Sequence, residues 1–68
     1  MTKNEKFMFY EVLLTEKSFD RAVIKLDLAG VHLQKELYAW LKSYYNAKEG
    51  NGSLPSLDAA IEIIDGES

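Results

Sequence analysis

From Val31 to Ala47 the sequence VHLQKELYAWLKSYYNA carries the longest uninterrupted helical pattern in the chain. At about 100° per residue, Trp40, Leu33, Tyr44, Leu37 and Leu41 fall in one tight sector, and Tyr45, Tyr38 and Val31 widen it on one side. His32, Lys35, Glu36, Lys42 and Ser43 take the opposite face. The apolar arc spans roughly 180°, wider than the ~100° stripe of a surface helix. Two readings follow. The arc is the inner face of a core helix whose tyrosine hydroxyls reach water at its edges. Or part of it, Tyr38, Trp40, Leu41, Tyr44 and Tyr45, meets another chain, since Trp and Tyr are enriched at interface hot spots.

Two earlier stretches are ambiguous between helix and strand. Phe7 to Leu14, FMFYEVLL, has Glu11 as its only charge. As a helix it sets Phe7, Tyr10 and Leu14 on one side, with Met8, Val12 and Thr15 nearby. As a strand it sets Met8, Tyr10, Val12 and Leu14 on one face. A pattern this apolar fits both. Ile24 to Leu28, IKLDL, alternates as a strand does. Yet Phe19, Ala22, Val23, Leu26 and Gly30 recur at helical spacing, in phase with Leu33, Leu37, Trp40 and Leu41 beyond them. A strand has no reason to keep phase with a following helix, so the pattern favours a helix over about 19–47. At 1.5 Å per residue such a helix would be about 43 Å long. A compact chain of this size is only about 28 Å across. Either the helix breaks or bends at Ala29-Gly30, or a second chain covers it.

Boundary signals complete the pattern. Thr2 and Glu5 have capping-box spacing, with Asn4 as a competing cap. Ser18 is a cap for the stretch beginning at Phe19, with Asp20 in its first turn. Residues 48–55 form a Gly-rich connection in which Gly50 and Gly52 supply positive φ. Ser56 caps a short last helix from Leu57 to Asp65. Its inner face is Leu57, Ala60, Ile61 and Ile64, and Gly66 stops it. The expected fold is all-α: one small domain over 1–68, with three to four helices, a long central helix and a short C-terminal one. The alternative is α+β, with a β-hairpin of about 6–14 and 21–28 packed on helix 31–47.

A chain of 68 residues buries only about 60% of its unfolded surface, so its core is marginal. Small domains compensate with disulfides, metals or oligomerisation. No cysteine and a single histidine leave oligomerisation, as a homodimer, or an unusually good helical core. The absence of cysteine and of any long apolar run points to the cytoplasm and away from a membrane. Residues 7–14 lack the small-residue cleavage site of a signal peptide. Asn51-Gly52-Ser53 fits a glycosylation sequon but reads as a turn.

Charge bears on partners. Residues 1–49 hold all eight bases against seven acids, while Asp58, Glu62, Asp65 and Glu67 leave the last stretch purely acidic. Nucleic-acid binding needs a basic, phosphate-tracking surface, and this balance offers none. Asp58, Glu62 and Asp65 lie on one helix face, as a solvated surface or an acidic contact for a basic partner.

No catalytic constellation, cofactor motif or metal site stands out. His32 sits on the polar face of the central pattern, beside Lys35 and Glu36, with no triad logic. Gly50-Asn51-Gly52 lacks the Lys-Ser/Thr of a phosphate loop. The expectation is a non-enzymatic protein that acts through protein–protein interaction. Its length and lysine bias suit a regulator or inhibitor from a bacterium, phage or plasmid. Two other readings stand beside it. A small DNA-binding regulator would use a helix-turn-helix over 19–47, although its second helix shows no basic recognition face. A structural subunit of a larger assembly would leave its wide apolar arc uncovered when isolated.

Overall fold

Every helix start expected from a capping side chain is found in the computed structural model of the chain, which describes residues 2–50 and 52–66. Four helices follow in order: α1 (Lys3–Thr15), α2 (Phe19–Leu28), α3 (Lys35–Lys48) and α4 (Leu57–Gly66). No strand occurs among the described residues. The chain divides into two compact units, Met1–His32 and Leu33–Ser68. Asn51, and with it the sequon, lies outside the described residues.

In the first unit, Thr2 wins the competition with Asn4. The Glu5 amide donates to Thr2 Oγ1 at 3.2 Å, and the Thr2 amide donates to Glu5 Oε1 at 3.0 Å. This reciprocal box satisfies two donors that a bare helix start leaves unpaired. The Glu16 amide closes α1 on the Val12 carbonyl at 2.9 Å. Ser18 then opens α2 by accepting from the Arg21 amide at 3.2 Å. So short a connection returns α2 alongside α1. Phe9, Val12 and Leu13 of α1 are buried, as are Ala22 and Leu26 of α2 and Val31 beyond it.

Both segments of the alternative β-hairpin, 6–14 and 21–28, are helical, so the α+β reading does not hold. The alternation of Ile24 to Leu28 places Leu26 inside and Ile24 and Leu28 outside. A helix does this too when only one residue of a five-residue stretch faces the core.

The continuous helix over 19–47 does not form. α2 ends at Leu28 and α3 begins at Lys35. Gly30 stands at φ +79°. Its amide donates to the Asp27 carbonyl at 3.0 Å, and the Val31 amide donates to the Leu26 carbonyl at 2.9 Å. This paired bonding is the Schellman stop, which satisfies the last carbonyls and turns the chain away. Leu26 and Val31, the two positions this motif brings together, are both buried. The phase agreement across Gly30 identified α2 as helical, but the two runs are separate helices. The central pattern therefore loses Val31, His32 and Leu33. His32 is exposed ahead of α3 and does not lie on its polar face.

In the second unit, two bonds orient α3 and α4. Gln34 Nε2 donates to the Ile63 carbonyl at 3.2 Å, and Trp40 Nε1 donates to the Ser56 carbonyl at 3.0 Å. The start of α3 thus lies by the end of α4, and the middle of α3 by its start, so the helices run antiparallel. Gly50 at φ +94° ends α3, donating to the Ala47 carbonyl at 3.0 Å. Ser56 Oγ accepts from the Asp58 amide at 3.1 Å and caps α4. Leu37, Trp40, Leu41, Tyr45, Ala60 and Ile64 are buried.

Candidate functional site

The aromatic candidates on α3 do not form one exposed surface. Trp40, Leu41 and Tyr45 are buried, Tyr44 is half-buried, and Tyr38 is exposed. Helical spacing explains the arrangement of the first group. Trp40, Tyr44 and Lys48 succeed one another at four-residue steps, which stack on one side of a helix. The Trp40 and Tyr44 rings lie 5.2 Å apart and 15° from parallel. Tyr45 meets Tyr44 edge-on, with centroids 5.3 Å apart. Lys48 Nζ caps the stack, 5.2 Å from the Tyr44 centroid. A cation over a tyrosine face is attracted by the ring quadrupole. This cluster lies along the C-terminal part of α3.

Asp58, Glu62 and Asp65 are all exposed on α4. No group of three His, Asp or Glu side chains among the described residues is placed to hold a metal. No helix among them is long and apolar enough to cross a membrane.

The apolar side chains left to solvent lie mainly on the first unit. Leu14 is 87% exposed, Leu28 82%, Phe7 67% and Ile24 58%. Phe7 and Leu14 are seven residues apart on α1, and Ile24 and Leu28 four apart on α2, so each pair shares a helix side. α1 packs on α2 with Phe9, Val12 and Leu13 buried, and Phe7 and Leu14 stay on the side that carries the exposed Glu11. The i, i+4 spacing of Ile24 and Leu28, off the Ala22 and Leu26 side, was the signal available for the second pair.

Ile24 and Leu28 line a shallow cavity with Glu16, Arg21 and Lys25. Glu16, at the end of α1, holds both cations: Lys25 Nζ lies 3.0 Å from its Oε2, and Arg21 Nε 3.5 Å from its Oε1. The Lys25 hydrogen bond, with the charges of Lys25 and Arg21, keeps the Glu16 carboxyl below the usual glutamate range. One carboxylate between two cations leaves a net positive charge beside the apolar pair. The site can offer apolar contact with a charged rim. The chain matches no protein-family profile, no curated protein and no solved structure.

Proposed function

We propose that the chain is a non-enzymatic small protein that works by contact with other proteins, as a regulator or inhibitor in the cytoplasm. The observation that carries this reading is the exposure of Ile24 and Leu28, one turn apart on α2, with Leu14 and Phe7 equally uncovered on α1. Isolated apolar side chains on a surface are ordinary, but a contiguous pair with a charged rim has the make-up of a contact site. The face of contact is then the outer side of α2. The lack of cysteine suits a reducing compartment.

Photo-crosslinking tests the proposal. A photoreactive residue is placed at Leu28, at Leu14 and, as a polar control, at Glu36, in the cells that make the protein. The expected result is discrete protein adducts at Leu28 or Leu14 and none at Glu36. Adducts to nucleic acid, or no adduct at either apolar site, would overturn it.

A further inference from the structure

The outer side of α2 has an ordered layout. At about 100° per residue, Asp27 and Asp20 lie within about 20° of each other, Ile24 and Leu28 follow over the next ~80°, and Arg21 and Lys25 close the arc some 20–60° further on. All six side chains are exposed. The helix thus shows an apolar seam with an acidic edge on one side and a basic edge on the other. Arg21 is 80% exposed and Lys25 53%, so both remain open to a partner while Glu16 is beneath them.

We infer that a second copy of this chain covers the seam, with the two α2 helices packed side by side in parallel about a twofold axis. The inference rests on the protein-contact reading above and names its partner. Charge complementarity selects the occupant and its direction. In a parallel twofold pair the acidic edge of each helix meets the basic edge of the other. In an antiparallel pair acid would meet acid and base would meet base. The spacing agrees with the parallel arrangement. With Ile24 and Leu28 as seam positions, Asp20 and Lys25 stand five residues apart on opposite flanks. That is the relation of the charged pairs that set partner and orientation in parallel coiled coils. Two symmetric Asp20–Lys25 pairs form, and Ile24 and Leu28 each meet their own copy. A ten-residue helix makes a small interface, so the association belongs to the weak class and rises with concentration.

The test is solution mass by light scattering over a concentration series, on the full chain and two single variants. The parent chain is expected to shift reversibly from monomer to dimer. Asp20→Lys and Lys25→Glu each place like charges across the interface, and each is expected to weaken association about tenfold. An equimolar mixture of the two restores both attractions and is expected to regain the parent's association. Leu28→Cys, in a chain with no other cysteine, is expected to form a self-disulfide under mild oxidation, because residue meets like residue only in the parallel pair. Circular dichroism confirms that each variant keeps its helices, and if Lys25→Glu does not, the disulfide carries the decision. Association strengthened by Asp20→Lys would mean an antiparallel pair and overturn the inference. A parent monomeric at every concentration, or no Leu28→Cys disulfide, would overturn it as well. Crosslinks from Leu28 to a foreign protein would then leave the broader proposal standing, whereas no crosslink at all removes both.

Discussion

The Trp40 indole donates its Nε1–H to the Ser56 carbonyl at 3.0 Å, and Ser56 in turn caps α4 through its hydroxyl. One serine therefore receives α3 on its backbone and starts α4 with its side chain. A buried tryptophan pairs its one polar group where it can, and this pairing fixes where α4 begins. Trp40→Phe keeps a ring in the core but leaves the Ser56 carbonyl without this donor. The Ser56 carbonyl still accepts from the Ala59 amide at 3.1 Å, so the expected cost is that of one hydrogen bond, about 0.5–1.5 kcal/mol, read as a lower denaturation midpoint. Trp40→Ala should cost about 3–5 kcal/mol, comparable to what a core of this size supplies, so loss of helicity is expected. A Trp40→Phe protein as stable as its parent would show that the bond contributes nothing.

Gly30 gives a prediction whose sign separates two folds. In an unbroken helix over 19–47, Gly30→Ala would stabilise by about 1 kcal/mol. At φ +79° the same change forces a left-handed alanine, which costs about 1–2 kcal/mol. No neighbouring atom stands in the way of the added methyl, so the backbone alone decides. Destabilisation is expected on thermal unfolding, with Gly30→Asn milder than Gly30→Ala.

The caps of the first unit should be separable. Ser18→Ala removes the acceptor for the Arg21 amide and is expected to cost about 1 kcal/mol. In a domain of this size that lowers Tm by roughly 4–8 °C. Thr2→Ala removes half of a capping box at the first helix start. Amide exchange should quicken there in the first turn of α1, while the α2 amides keep their protection. Equal loss of protection in both helices would mean that the two starts are not independent.

Acid should loosen the tie between α1 and α2. In the folded chain Glu16 is held below the usual glutamate range by Lys25 and then Arg21. The unfolded carboxyl, ordinary at about 4.3, takes up its proton at a higher pH than the folded one. The stabilisation is therefore whole above that value and is lost as the pH falls through the lowered folded value. Glu16→Gln should reduce Tm at neutral pH and flatten its decline in acid. Because the pair is near solvent, the difference should shrink in high salt. Glu5, lowered by the Thr2 backbone amide and then its hydroxyl, should add to the acid decline in the parent chain.

The positions of the helices were largely legible in the chain. Thr2, Ser18 and Ser56 act on amides two or three residues ahead, and Gly50 and Gly52 take the positive φ expected of them. Such signals are local: a short side chain and a nearby donor settle them without reference to the rest of the molecule. The inner residues Ala22, Leu26, Ala60 and Ile64 also followed from spacing, because a helix with one apolar side can bury only that side, whereas Leu57, expected beside Ala60 and Ile64, is exposed in the first turn of α4. The tertiary structure alone decided three other matters. It decided between the two outcomes open at Gly30, a break or a long covered helix: the burial of Val31 beside Leu26 accompanies the Schellman turn that ends α2 there. It settled how much of FMFYEVLL to cover, since its one charge, Glu11, marks a single outward position and the neighbouring helix decides how many apolar side chains beside it stay exposed. It also withdrew Trp40 and Tyr45 from the surface and left Ile24 and Leu28 there, because burial depends on what lies opposite a side chain, which its own spacing does not encode.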